Sequence, residues 1–228
     1  MLSVMVPSWN YGCFLGEAIA SLVACRPAFD DILIVDDCSS DQTADLGSYF
    51  AGEVGSVRYV RNDQRRGIVW NLNTYLPTLR SEWVCMVSAD DWVDPRFVAA
   101  HEAAIAAFGA DPKVALIYSG ARYTVTHAPT ERADLDGLVV GLDEWDPVRL
   151  RTQNYIHGSA VIRKAALVAI GGFPDVPVEE DHACWKRFAA GGYVGRSVGF
   201  DEPLLFYRQH DRGHRNYGTD GKREKGDR

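Results

Sequence analysis

The 228-residue sequence contains no apolar run approaching the roughly 20 residues that a helical membrane span requires. Its opening, Leu2-Ser3-Val4-Met5-Val6, is too short for a signal h-region and follows no basic n-region, so no secretory leader is expected. Cysteine is sparse and scattered. The five (Cys13, Cys25, Cys38, Cys85 and Cys184) are odd in number and form no C-x-x-C pair, which argues against a disulfide framework and a zinc site alike. Free thiols in a reducing compartment are the expectation. No G-x-G-x-x-G follows the first apolar run, and G-x-x-x-x-G-K-[ST] is missing. Dinucleotide binding of the usual kind and a P-loop are thereby disfavoured. Lysine and arginine (24) are outnumbered by aspartate and glutamate (31), and a formal charge of -7 disfavours a nucleic-acid partner held through phosphates. A local basic patch for one small anion remains compatible with that balance. A soluble, cytoplasmic protein is expected, with peripheral membrane contact left open.

What the chain does contain is apolar mass, 46% of residues, enough for a substantial core. Short runs rich in Val and Ile recur at 2–6, 32–35, 57–60, 84–87 and 114–118. Several are apolar on consecutive positions, the pattern of parallel strands covered on both faces. Between them lie stripes of helical period: Leu15, Ile19, Leu22 and Val23; Val69, Leu72, Leu76 and Leu79; Phe97, Ala100, Ala104 and Phe108. Ser39-Ser40-Asp41-Gln42 fits a capping box, with Ser39 as cap and Gln42 reaching back. Strand-helix alternation over residues 1–119 therefore predicts an α/β fold with an open, mostly parallel, twisted sheet flanked by helices. Periodicity fails over 120–154, which reads as a long loop or small excursion over the sheet. Order returns at 156–162, followed by a short helix ending near Gly171-Gly172, a helix after Glu180-Asp181 and extended chain over 194–207. Residues 211–228 read as a mobile polar tail.

In open α/β sheets ligands bind beyond the carboxyl ends of the strands. The polar residues there are Ser8, Trp9 and Asn10; Asp36-Asp37; Asn62-Asp63 with Arg65-Arg66; and Ser88, Asp90 and Asp91. A carboxylate pair such as Asp90-Asp91 suits a hard cation shared with substrate phosphates, and equally suits the start of a helix near Pro95. Asp36-Asp37 can accept from a base N–H or a ribose hydroxyl, or stabilise the next helix N-terminus. Glu179-Glu180-Asp181 crowds three acids, which raises at least one pKa and suits a general base; helix-start electrostatics accounts for the same cluster. His210, in Tyr207-Arg208-Gln209-His210, reads as a metal ligand, a phosphate partner or a surface histidine.

Val4-Met5-Val6-Pro7-Ser8-Trp9-Asn10-Tyr11 and Ile34-Val35-Asp36-Asp37-Cys38-Ser39-Ser40-Asp41-Gln42-Thr43 resemble the opening of family 2 glycosyltransferases with the GT-A fold. Val87-Ser88-Ala89-Asp90-Asp91, Gly171-Gly172-Phe173, Glu180-Asp181 and Tyr207-Arg208-Gln209-His210 continue the family's order. The resemblance implies a nucleotide-sugar-binding half (1–119) and an acceptor half (120–210) merged in one domain. It implies that Pro7 and Trp9 border the nucleobase, that Asp37 bonds its edge, that Asp90 supports the ribose and metal shell, and that Asp91, last acid of the D-x-D-type motif, binds Mg2+ or Mn2+. His210 falls where some members contact metal or diphosphate, and Asp181 matches the base that activates the acceptor. Two positions depart from the pattern. Ser88 stands where many members carry Asp, and Trp70 where many carry Arg, which leaves the diphosphate charge to Arg65, Arg66 or the tail.

The implied reaction is inverting transfer of a sugar from a nucleotide-sugar donor, UDP-linked by default, to a glycan, lipid-linked or small-molecule acceptor. A catalytically silent nucleotide- or glycan-binding module of the same fold is the alternative. A nucleotidyltransferase comes next, although it needs a G-x-G-T-R-like loop where this chain has Pro7-Ser8-Trp9-Asn10.

Overall fold

The computed structural model describes residues 1–126, 136–199 and 202–210, so the polar tail expected over 211–228 lies outside the described residues. Five parallel strands carry the first half's pattern: β1 (Leu2–Ser8), β2 (Asp31–Asp36), β3 (Val57–Arg61), β4 (Trp83–Met86) and β6 (Val114–Tyr118), the last following the short β5 (Trp92–Val93). Successive side chains of a strand point to opposite faces. Leu2, Val4 and Val6 accordingly enter one core cluster and Met5 the other, and Ile32 and Ile34 are parted from Leu33 and Val35 in the same way. A sheet buried on both sides needs apolar residues at every position, which is why these strands read as unbroken runs.

With β9 (Val161–Arg163) and β10 (Val194–Ser197) the main sheet has the order β10-β6-β9-β4-β1-β2-β3 among the described residues, and β9 alone runs antiparallel to its neighbours. Helices α1 (Gly12–Ala24), α2 (Thr43–Glu53), α3 (Ile68–Tyr75) and α4 (Phe97–Phe108) connect the strands. α1 buries Phe14, Leu15, Ala18, Ile19 and Leu22 along the stripe its spacing predicts. Each large side chain so buried contributes about 1.5–3 kcal/mol. α3 stops early, because Pro77 turns Leu76–Thr78 into a single 3-10 turn; Leu76 and Leu79 stay buried all the same.

Three expectations are corrected here. The stretch expected to be irregular contains β7 (Ala121–Val125) and β8 (Val139–Val140), and Val194–Tyr207 is divided between β10 and β11 (Leu205–Gln209). β7, β8 and β11 join β5 in a second sheet, β5-β11-β7-β8, whose strands are short and half-exposed and so carry no apolar run. The capping box at Ser39 and Gln42 does not form. Asp41 takes its place, accepting from Thr43 N at 3.0 Å and Thr43 Oγ1 at 2.6 Å at the start of α2, and from Gly12 N at 2.8 Å at the start of α1. One carboxylate thus satisfies donors that two helix starts would leave orphaned.

The later helices are α5 (Lys164–Ala169) and α6 (Glu180–Ala190). α5 ends in a Schellman motif: Gly172 N donates to Leu167 O at 2.9 Å and Gly171 N to Val168 O at 3.0 Å, with both glycines at positive φ (80° and 76°). The next residue is clamped to α3, Phe173 N donating to Asn73 Oδ1 (2.8 Å) while Asn73 Nδ2 donates to Phe173 O (2.9 Å). A Cβ on Gly172 would meet Asn73 Oδ1 at 2.5 Å, whereas one on Gly192, also at φ 76°, would meet nothing. Gly192→Ala should therefore show only the left-handed backbone cost of about 1–2 kcal/mol. Gly172→Ala should cost more, because it also breaks the Asn73 clamp. Urea midpoints of the two variants, at unchanged m value, check the order.

Candidate active site

The carboxyl ends of β1, β2 and β4 open on one rim, and the two acids ending β2 part company there. Asp36 is fully buried and spent on structure: it accepts from Tyr59 Oη (2.8 Å), Arg61 Nη1 (2.9 Å) and Ser39 N (2.7 Å). Asp37 turns toward a cavity of about 220 Å3 whose wall includes Pro7, Trp9, Asn71 and Ser88. Its Oδ1 accepts from Asn62 Nδ2 and Arg66 N, and its Oδ2 from Gly67 N, each at 2.8 Å. Tyr75 Oη fixes the orientation of Asn62 by donating to its Oδ1 at 2.8 Å. Burial opposes ionisation of Asp37, but the N–H groups of Arg66, Asn62 and Gly67 outweigh it and hold the carboxyl below its ordinary value. A carboxylate offers roughly four lone-pair sites. With these donors in place, Asp37 presents an ionised acceptor on the wall of the cavity.

Arg65 is the cation on this wall, its guanidinium carbon 3.4 Å from the centre of the Trp9 ring. The Arg66 side chain turns away, pairing with Asp63 at 3.0 Å and lying over Trp70 at 5.2 Å. Arg66 contributes its backbone N–H to Asp37 and takes no part in the cavity wall. Trp70 is exposed on the outer surface of α3.

The loop after β4 carries Ser88, Asp90 and Asp91. Asp90 lines a second cavity of about 350 Å3, and its Oδ2 lies 3.1 Å from His210 Nε2. Asp91 is 1% exposed and lies on neither cavity wall; its Oδ1 accepts from Arg208 N at 2.9 Å while its Oδ2 is buried without a partner. Burial, reinforced by the charge of Asp90, pushes the Asp91 carboxyl well above the usual carboxylate range. Arg208, on β11, ties the loop down. Its Nε donates to Asp90 O at 2.7 Å, Nη1 to Thr126 Oγ1 at 2.9 Å and Nη2 to Glu17 Oε2 at 2.6 Å, with the guanidinium 4.9 Å from the Phe14 ring and 4.5 Å from the Trp92 ring.

Asp181, in the first turn of α6, is half-buried on the wall of the second cavity. Its Oδ1 accepts from His182 N (2.6 Å) and Asn154 Nδ2 (3.1 Å). Oδ2 faces Gly158, where a Cβ would come within 3.2 Å of it. Burial raises the carboxyl above its ordinary value against those two hydrogen bonds, the direction that suits a proton acceptor near neutral pH. Ser88 lines both cavities and is where they meet.

Pro7, Trp9 and Asp37 thus come together in one cavity, Asp90 and Asp181 in the next, with His210 against Asp90. Asp91 and the Arg66 side chain stand outside both. Among the described residues no three His, Cys, Asp or Glu side chains converge as a metal cluster. The oxygen of Asp90 and the imidazole of His210 still make a donor pair suited to a divalent cation that takes its other ligands from phosphate and water. Sequence reasoning missed Tyr123 and Asn154 on the second wall, since they fall in the stretch without periodicity; it also missed His157, which stands where order returns, and the structural task of Arg208.

Asp37→Asn should lower stability by about 1–3 kcal/mol at pH 7, because an amide nitrogen would face buried N–H donors. The folded value of Asp37 is depressed, so its contribution is complete above the unfolded value of about 4 and fades as pH falls through the folded value. The difference between wild type and variant should narrow in urea titrations carried from pH 7 to pH 3.

Comparisons with known proteins bear on the family and the fold. The model of glycosyl transferase family 2 matches residues 3–171, a range that takes in Pro7, Trp9, Asp37 and the acid loop and stops before Asp181. An uncharacterised glycosyltransferase of Haemophilus influenzae is 22% identical over 179 residues, covering 75% of this chain and 56% of its own length. S. aureus TarS, solved with UDP-GlcNAc, superposes with a TM-score of 0.70 at 17% identity, over 92% of this chain and 59% of that one. The mannosyltransferase PcManGT of Pyrobaculum calidifontis, solved with GDP-Man and Mn2+, gives 0.66 at 22%, over 96% and 59%. The chain thus spans a little over half the length of the relatives it matches, and identities this low speak for the fold alone. With the family model covering most of its length and GT-A enzymes as its structural neighbours, the chain belongs to glycosyl transferase family 2 and has the GT-A fold.

Proposed function

We propose that the chain transfers a sugar from a nucleoside-diphosphate sugar to an acceptor hydroxyl, with inversion and with the help of Mg2+ or Mn2+. The observation that carries the reading is the pair of cavities meeting at Ser88, one ending in an ionised acceptor, Asp37, and the other in a carboxylate of raised pKa, Asp181. Residues 1–119 supply the nucleotide's side; the acceptor's side draws mostly on 120–210.

In this reading the base enters beside Pro7 and Trp9 and donates a ring N–H to Asp37. Uracil, thymine and guanine have such an N–H and cytosine does not, so UDP is the first donor to try, with dTDP and GDP behind it. Arg65 supplies the cation that Trp70 does not. Asp90 and His210 would hold the metal, and Asp91 would brace the loop from below; this exchanges the parts that the family resemblance implies for the two acids, because the Asp90 side chain, rather than Asp91, lines a cavity. The bound cation would supply neutralisation of charge building on the leaving diphosphate. Asp181 takes the proton of the acceptor hydroxyl as that oxygen attacks the anomeric carbon and the bond to the diphosphate breaks on the opposite face. Single displacement of this kind inverts the anomeric centre.

Asp181→Asn should reduce transfer by roughly 10²–10⁴-fold, the usual worth of a positioned base, while nucleotide binding is retained. The wild-type acid limb of kcat/KM should fall at a pH above the ordinary aspartate value of about 4, since burial raises Asp181 and the base works deprotonated. Near-normal turnover of the variant removes Asp181 from the mechanism, whereas a wild type that transfers no sugar with any donor leaves the silent binding module. A thermal-shift panel of UDP, dTDP, GDP and CDP should stabilise the protein least with CDP. Mn2+ should deepen the shift with the preferred nucleotide, and Asp90→Ala should abolish that increment.

A further inference from the structure

The wall of the second cavity carries charge of one sign. Its charged groups are Asp90, Glu179, Glu180 and Asp181, and no Lys or Arg lines it among the described residues. His157 adds no positive charge, since burial pushes its imidazole down to about 4. Glu180 is 8% exposed, lies on this wall and forms no ion pair with any described residue. Facing the acids is an aromatic corner: the Tyr207 ring lies edge-on to Tyr123 at 5.0 Å and to His157 at 4.9 Å between centroids. All three rings belong to the wall.

Carboxylates accept hydrogen bonds from hydroxyls, and aromatic rings cover the C–H face of a pyranose. A phosphate would bring its charge against four acids with no cation to offset them, and in a partly desolvated cleft each such pair is repulsive by more than in water. The cation proposed beside Asp90 does not change that sign, because the donor diphosphate takes up its charge. Resting on the reading of this cavity as the acceptor's side, we infer that the acceptor unit seated here is an uncharged saccharide ring and that phosphorylated units are shut out. A chain or lipid bearing phosphate elsewhere is compatible with this, provided the reacting ring itself carries none.

The test uses saturation-transfer difference NMR on the full chain without donor, in phosphate buffer so that other anion sites are masked. The probes are the methyl glycosides of glucose, galactose, mannose and N-acetylglucosamine, each beside its 6-phosphate. At least one neutral glycoside should receive saturation, with roughly tenfold less reaching its 6-phosphate. Glu179→Lys should bring the phosphorylated probe to within about threefold of the neutral one. The Glu179 side chain is exposed and, among the described residues, pairs with His182 Nδ1 at 3.2 Å; an unchanged far-ultraviolet circular dichroism spectrum of the variant checks that the fold is retained. Equal signals for neutral and phosphorylated probes in the wild type, or none for every neutral glycoside, overturns the inference. UDP and GDP added to the same samples report on the first cavity separately: their failure to bind, with glycoside discrimination intact, counts against the donor reading alone.

Discussion

Arg208 belongs to the second sheet, yet its side-chain hydrogen bonds all reach groups outside that sheet's strands. Its backbone N–H holds Asp91, its Nε holds the carbonyl of Asp90, and its terminal nitrogens reach Thr126 and, on α1, Glu17. The guanidinium is packed between Phe14 and Trp92, one from each side of the junction between the sheets. A planar guanidinium reaches three hydrogen-bond partners in fixed directions while lying against two rings, which an ammonium cannot. Its charge partner Glu17 is largely exposed while the arginine is buried, so this is a one-sided ion pair whose value lies in the hydrogen bonds and packing around it. Without the guanidinium, Asp90 would lose its carbonyl anchor, and the acid loop would be joined to β11 through the neighbouring β5 pairing, the Arg208 backbone N–H on Asp91 and the approach of His210 to the Asp90 carboxylate.

The aspartates of the rim illustrate how surroundings divide one chemistry into several. Asp36 is consumed by an arginine, a tyrosine and a backbone N–H. Asp37 is buried too, but backbone N–H groups at the start of α3 and the Asn62 amide keep it ionised. Asp91 has a single backbone donor and a charged neighbour, and burial wins. Asp181 has two donors on one oxygen and open cavity at the other, and burial again prevails. Desolvation is common to Asp37, Asp91 and Asp181; the number of N–H groups aimed at each decides the direction.

That division also sets what was legible in the chain. The parallel strands could be read because burial on both faces demands apolar residues at every position. The candidate residues at their ends could be read because chain topology brings strand ends to one rim, whatever the contacts turn out to be. The second sheet could not be read: β7 is Ala-Arg-Tyr-Thr-Val, a strand whose outer face meets water, and β8 has only two residues. The order of Asp90 and Asp91 was equally hidden. Neighbouring residues in a tight loop point different ways, and which one faces the cavity depends on Arg208, 117 residues away from Asp91. Asp41 escaped for the same reason, since one of its partners, Gly12, is 29 residues upstream.

The two departures from the family pattern can be weighed together once their positions are known. Ser88, in place of an acid, sits where the cavities join, so a negative charge is absent from the passage a diphosphate would occupy. Trp70, in place of an arginine, sits on the outer surface of α3 under Arg66 and lines neither cavity. Each loss alone would alter the attraction for an anion, in opposite directions. The formal charges of the two changes cancel in sum but not in place, and Arg65 is the cation on the wall of the first cavity. At the passage itself the serine removes a repulsion while Arg65 keeps its place on the adjoining wall, so the local balance there favours an anion over what an acid at that position would allow.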